Sequence, residues 1–448
     1  MISENVKKET AGYENIRQFL LNKKNLINFL GIILIVYTAF LLVRICASVF
    51  GNISMPNEYR EAANIQLTQT IMKGINPYSL KSYEGDLPGM IYVYGPLYSV
   101  FTALLGLIFP IDIITLHYVV TFAAVLISAA LSAVMVYKRT EYLAAPAAVF
   151  LFTINCNWRY GYINAVPDSF ALMIAVIIIF IMSLKDFRSK NFLCALLSIM
   201  LFFVKQYFAV IAAAIFIYKL INDRKDCLKF FINGLVISLI TFIAVSLTCP
   251  LYWTYSIYLA HGPFGITQEQ YHAAYGGYMK EYTKEELEQK EQKRKEQEEK
   301  LKKENIENFT AESVNTDPDS GFGYEILQLR SLAGIFIFVF LASLVGILRE
   351  LKTGFKDRKD FTFFLVIYMV VSFTALIYLG RNNGAWLSYY LQLLMPEVII
   401  YAFITVDWLL GKDDKRIAVC AFGLLFLMIF FTAYRTNGRL KVYEKDES

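Results

Sequence analysis

NEYREAANIQLTQTIMKGINPYSL (57–80), KSYEGDLPGM (81–90) and IYVYGPLY (91–98) form one continuous stretch directly after the first long apolar segment. It gathers acidic groups, an arginine, two Gly/Pro turns and a row of tyrosines beside a hydrophobic run. A plain linker between two hydrophobic spans has no physical need for them. A loop that does chemistry at a water–lipid boundary does.

The rest of the chain fits such a boundary. Of 448 residues, 56% are hydrophobic and only 18% charged, fewer charges than an ordinary soluble domain carries. Several windows run to about 18 or more apolar residues, enough to cross a bilayer core. The pattern is not the short alternation of a β-barrel. The sequence therefore predicts an all-α, polytopic transmembrane helical bundle of about 11 spans, with interfacial helices in the first outer loop. Spans are expected at 26–48, 112–137, 142–155, 165–184, 191–204, 206–220, 229–249, 330–348, 361–379, 387–406 and 417–433. The domains would be a cytoplasmic segment 1–25, a membrane module 26–249 with its outer loop 49–111, an outer loop 250–329, C-terminal helices 330–433 and a tail 434–448.

Lys/Arg bias sets the expected orientation. Lys7, Lys8, Arg17, Lys23 and Lys24 precede the first span, and Lys138–Arg139 and Lys185/Arg188/Lys190 follow later ones. All the basic clusters fall on the cytoplasmic side if 92–109 does not cross. That segment, broken at Gly95–Pro96, would lie in the outer interface. The expected localisation is a multi-pass cell-membrane protein, N-terminus cytoplasmic, with its polar loops outside. No cleavable signal is apparent, so the first span is expected to be retained.

The net charge of +5 comes from short clusters between apolar runs, which argues against a nucleic-acid partner. Six scattered cysteines read as packing residues, and His117, His261 and His272 are too dispersed to predict zinc. Lys280–Glu304 carries repeated Glu-to-Lys pairs four residues apart, such as Glu286–Lys290, and reads as a solvated helix.

Four positions could carry chemistry. Glu58, near Arg60 and Glu61, lies about ten residues past the first span. It could equally favour a helix N-terminus through the macrodipole. The helix expected to follow, from Ala62 to Met72, would end at Lys73–Gly74 and lie in the interface. Asp168 follows Pro167 at a helix start, where it could simply cap, or face the same cavity as Glu58 with Arg159 nearby. Lys205 sits among apolar residues and must snorkel, pair or face a cavity. Arg381 lies in a polar turn with Asn382 and Asn383, followed by Trp386, Tyr389 and Tyr390. A guanidinium there suits phosphate oxygens, although an aromatic belt accounts for the rings alone. Glu397 would need a partner or a proton if buried.

The order of these features resembles the GT-C superfamily of integral-membrane glycosyltransferases, and within it the mannosyltransferase-like branches. An acidic residue follows the first span (NEYREAA), then come GINPY (Gly74–Tyr78), YGPLY (Tyr94–Tyr98), Pro167–Asp168, Lys205–Gln206 and a Gly-polar turn before Tyr390. The matches cover about the first 210 residues and 380–400. Two departures stand out: Asn57–Glu58 replaces the usual aspartate, and the charged helix 280–304 is not a family feature.

The resemblance implies a polyprenyl-phosphate sugar donor, a glycan or lipid acceptor, and a membrane lipid environment. It implies that Glu58, or else Glu61, takes the acceptor proton, with Asp168 as second carboxylate. Lys205 and Arg381 would bind the donor phosphate. Arg60, Tyr78, Tyr94, Arg159, Gln206, Asn383 and Tyr389 are further substrate-binding candidates. Attack opposite the phosphate would invert the anomeric carbon. No cofactor is required by the charge balance, though Glu58 and Asp168 could share a divalent ion. A surface-polysaccharide polymerase or ligase would be expected to carry more outer arginines, and a lipid-linked sugar transporter would be expected to show internal repeats. Neither pattern is evident.

Overall fold

The computed structural model describes residues 23–51, 59–79, 94–159, 163–253, 256, 321–353, 360–380, 391–412, 414 and 416–430. Among them every regular element is helical. The chain divides into two units, one comprising 1–74, 94–243 and 328–448, the other 75–93 and 244–327.

The helices of the first unit follow the apolar runs closely. They are α1 (Lys23–Gly51), α2 (Tyr59–Met72), α3 (Leu97–Ile108), α4 (Ile113–Tyr137), α5 (Ala144–Arg159), α6 (Asp168–Ser183), α7 (Lys190–Val204) and α8 (Val210–Asn222). Then come α9 (Arg224–Thr248), α10 (Gly321–Thr353), α11 (Phe361–Gly380), α12 (Met395–Leu410) and α13 (Arg416–Phe430). The ends of α9 and α10 at 244–248 and 321–327 belong to the second unit.

Among the described residues, four helices are long and apolar enough to cross a membrane: α1, α4, α9 and the 361–379 stretch of α11. Several others, such as α6 and α7, are apolar but shorter. The expected turn at 156–164 begins later than the sequence implied, because α5 runs on to Arg159. The late span expected at 387–406 appears as α12, starting at Met395, where Pro396 suits a first turn.

The packing is that of helices in a two-sided apolar setting. α1 buries one stripe, Ile27, Gly31, Leu34, Thr38, Leu41, Ile45 and Val49, spaced by three or four residues. The opposite face exposes Ile32, Val36, Phe40 and Val43. A helix that is hydrophobic all round but half uncovered needs lipid on its open side. α9 is more extreme, with Cys227 and Phe230 its buried residues. Gly31 lets α1 approach the start of α5 closely: a Cβ there would sit 2.8 Å from the Leu143 carbonyl carbon. Beside it, Asn28 accepts from the Leu143 N–H, and the Asp407 carboxylate accepts from the N–H groups of Glu141 and Tyr142. These bonds occupy backbone donors where α5 begins.

At the centre, α4 packs against both α5 and α6, and α12 packs on α5. α6 and α12 are buried on nearly every side. Two short helices, α2 and α3, pack on each other and on α4. α3 has 12 residues, about 18 Å at 1.5 Å per residue, which is well short of a hydrocarbon core. α2 ends where the sequence predicted, with Gly74 at φ +75, the left-handed conformation that favours glycine. In the second unit, Asn76 donates to the Thr248 carbonyl and the Tyr78 carbonyl accepts from the Leu251 N–H.

Candidate active site

α6 begins at Asp168, immediately after Pro167, and α7 ends at Val204, immediately before Lys205. α6 and α7 pack together, which brings these two ends into contact. Lys205 Nζ lies 2.6 Å from Asp168 Oδ1. Neither side chain reaches solvent: Lys205 is 0% exposed and Asp168 2%. Lys205 therefore does not snorkel, and Asp168 spends its carboxylate on a tertiary contact. The chain at Lys205 is extended and then enters a 3-10 turn at Gln206–Ala209 before α8. The lysine thus occupies a break, outside both flanking helices.

Three further groups complete the cluster. Gln392, in a 3-10 turn before α12, donates its amide to the same Asp168 Oδ1. The rings of Tyr94 and Tyr207 stand 5.1 and 5.0 Å from Lys205 Nζ. Rings at that range attract an ammonium through their negative faces, by about 2 kcal/mol when desolvated. Burial pulls the Lys205 ammonium down to about 8, the Asp168 carboxylate opposes that pull, and Arg60 adds a smaller push downward. Asp168 Oδ2 and Gln392 Oε1 are buried and have no hydrogen-bond partner among the described residues.

Tyr94 reaches Lys205 because the next residue is glycine. A Cβ on Gly95 would sit 1.9 Å from the Phe203 carbonyl oxygen. The Gly95–Pro96 break, legible in the sequence as a turn, is thus also a backbone-to-backbone contact with the end of α7.

α2 brings a second set of charges. Glu61 is 2% exposed and accepts from the Tyr118 hydroxyl at 3.4 Å. Tyr98, in α3, is within electrostatic reach of Asp168, Glu61 and Tyr118. Arg60 is half-buried and within electrostatic reach of Lys205. Among the described residues, two carboxylates and two cations from α2, α6 and the α7–α8 break therefore share one region.

Of the residues the sequence singled out, Asp168, Lys205, Tyr94, Arg60 and Glu61 fall together here, with Gln206 next in the chain. Glu58, Arg381, Asn383 and Tyr389 lie outside the described residues, as does the charged helix 280–304. Arg159 ends α5, and its side chain is likewise outside them. Tyr78 belongs to the second unit, where its ring meets Tyr252 edge-on. Glu397 is fully buried in the first turn of α12, beside Ser372 and Tyr368 of α11. Sequence reasoning passed over Gln392. Its signal was a lone amide within an apolar run, LQLLMP, which is costly at membrane depth without a partner. No group of three or more metal-ligating side chains occurs among the described residues.

No family model matches the chain, and no curated protein matches it. Solved structures do. The apo oligosaccharyltransferase of Archaeoglobus fulgidus superposes with a TM-score of 0.50 at 10% identity, over 92% of this chain and 56% of that one. The same enzyme tethered to an acceptor peptide gives 0.47 at 12% identity over 92% and 55%. The archaeal oligosaccharyltransferase AglB with an inhibitory peptide and a dolichol-phosphate gives 0.48 at 12%, over 92% and 56%. These neighbours are oligosaccharyltransferases. At such identity the likeness is one of fold, and the chain spans little more than half the neighbour's length.

The buried pair has a measurable signature. Removing one partner of a buried ion pair strands the other charge and costs about 3–5 kcal/mol. Asp168→Asn should therefore unfold at markedly lower temperature than the wild type. Asp168→Asn/Lys205→Met should regain most of the loss in the same detergent.

Proposed function

We propose that this chain is a membrane glycosyltransferase of the GT-C type. On this reading it moves a hexose from a polyprenyl-phosphate donor to a glycan, lipid or polymer acceptor at the outer face of a cell membrane, with inversion. The observation that carries the reading is the Asp168–Lys205–Gln392 cluster with Arg60 and Glu61 beside it, in a fold shared with an oligosaccharyltransferase. Burying two charges is expensive, and hydrophobic residues of similar volume would often stabilise as well. A site that must handle a sugar phosphate has a use for the charges that a packing core does not.

The reaction follows in one step. The acceptor hydroxyl oxygen attacks the anomeric carbon from the face opposite the phosphate. The bond from that carbon to the phosphate oxygen breaks and the polyprenyl phosphate leaves with the electron pair. The hydroxyl proton passes to a carboxylate, Glu58 or Glu61. Asp168 orients the acceptor and holds Lys205. Lys205 and Arg381 offset the charge growing on the leaving phosphate, the type of stabilisation that often dominates an enzyme's rate. Arg60, Tyr94 and Gln206 line the same site. The mannosyltransferase-like branch is the reading favoured by the order of features from NEYREAA through GINPY, YGPLY, Pro167–Asp168 and Lys205–Gln206 to the turn before Tyr390.

Transfer from a polyprenyl-phosphate sugar by the reconstituted protein tests this directly. Loss of the base should lower kcat by about 10²–10⁴-fold, so either Glu58→Gln or Glu61→Gln should fall that far. Lys205→Met should lose about 10²–10³-fold. Undiminished transfer in Glu58→Gln, Glu61→Gln and Asp168→Asn alike would falsify the mechanism.

A pH limb is also expected. Lys205 carries its charge below about 8 and loses it above, so phosphate stabilisation is present at lower pH and fades as pH rises. Donor kcat/KM should decline above about pH 8 in the wild type. In Lys205→Met the residual activity should lack that limb.

A further inference from the structure

His117 lies in α4, is 0% exposed, and uses both ring nitrogens. Nε2 is 2.9 Å from Thr68 Oγ1 in α2, and Nδ1 is 2.9 Å from the Tyr98 hydroxyl in α3. The direction of each bond follows from counting protons. Thr68 has one hydroxyl proton and gives it to the Asn64 carbonyl at 2.8 Å. Its oxygen can then only accept, so His117 Nε2 carries a proton and donates. Tyr98 donates its own proton to Nδ1, because its other acceptor, the His117 carbonyl, is 3.5 Å away. The network therefore specifies a neutral imidazole protonated at Nε2.

We propose that His117 is a positioning residue that fixes α2 against α3 and α4, and so holds Arg60 and Glu61 beside Asp168 and Lys205. α2 has 14 residues, and its buried stripe is largely polar: Glu61, Asn64 and Thr68 with Ile65 and Leu67. Such a stripe gains little from hydrophobic burial, so its place against α4 depends on hydrogen bonds. Those bonds form one ladder. His117 grips Thr68, and Thr68 donates to the Asn64 carbonyl. The Asn64 amide donates to the Arg60 carbonyl, and Ser99 reaches the Asn64 carbonyl at 3.4 Å. The neighbour of His117, Tyr118, donates to Glu61. On the other side, the Tyr98 ring packs on His117 and on Phe170, two residues past Asp168. One imidazole thereby joins the helix carrying Glu61 to the helix carrying Asp168.

The kinetic part of the test rests on the glycosyltransferase reading; the other two parts do not. Thr68→Val keeps the shape and removes the hydroxyl, and Thr68→Ser keeps the hydroxyl. An error of about 1 Å in placing a catalytic group can cost about 10²-fold. Thr68→Val should therefore lose on the order of ten- to a hundredfold in kcat with donor KM little changed, and Thr68→Ser should recover it. Independently, nitrogen NMR of histidine-labelled full-length protein should show His117 neutral and protonated at Nε2. Spin labels on the exposed positions Gln69 and Ile127 should give one narrow distance in the wild type and Thr68→Ser, and a displaced or broadened one in Thr68→Val. A proton on Nδ1, or an imidazolium, overturns the proposal. So does an unchanged label distance, or full kcat in Thr68→Val. If the wild type transfers no sugar at all, the glycosyltransferase reading fails alone, and the NMR and label distances still decide the tether.

Discussion

A lysine ammonium with no access to water is the constraint on which the candidate site depends. Lys205 sits in a break between two apolar helices, and its ammonium pairs with a carboxylate that is itself buried. Neither charge is tolerable without the other. The pair therefore fixes the start of α6 relative to the end of α7. Gln392 ties the turn before α12 to the same oxygen, and Gly95 lets the chain entering α3 lie directly on α7. Helices distant in sequence meet at one point because a charge there must be satisfied.

A second constraint acts through α2. Its inner face is polar where most neighbouring helices are apolar, so hydrogen bonds through Thr68, Asn64 and Glu61 hold it. The two constraints complement each other. One places a cation and a carboxylate at helix ends inside the bundle. The other supplies a short helix whose charged residues reach the same region. An oligosaccharyltransferase shares the fold.

Much of the fold was legible in the sequence because apolar length and Gly/Pro punctuation are local signals. α1, α4, α6 and α11 begin and end within a few residues of the expected spans, and the Lys73–Gly74 stop ends α2 at a positive-φ glycine. Asp168 and Lys205 stood out because charge in an apolar context is conspicuous. What the sequence could not give was pairing. Nothing local says that Lys205 meets Asp168 rather than snorkelling, or that the amide of Gln392 closes on the same oxygen. His117 carries no zinc signal, because the three histidines are too few and too dispersed in the sequence. Its structural use depends on two partners, 49 and 19 residues away, which no periodicity reveals. Hydropathy likewise hid the inner face of α2, since a polar stripe turned inward reads like one turned toward water.

On the proposed reading, these buried charges form a site for a lipid-linked sugar phosphate. A structure of the full chain in lipid with a polyprenyl-phosphate sugar tests it most directly. The phosphate is expected within hydrogen-bond reach of Lys205 Nζ, with the anomeric carbon on the side of Glu61 and Asp168. A phosphate bound elsewhere, with the Asp168–Lys205 pair still sealed, would contradict it.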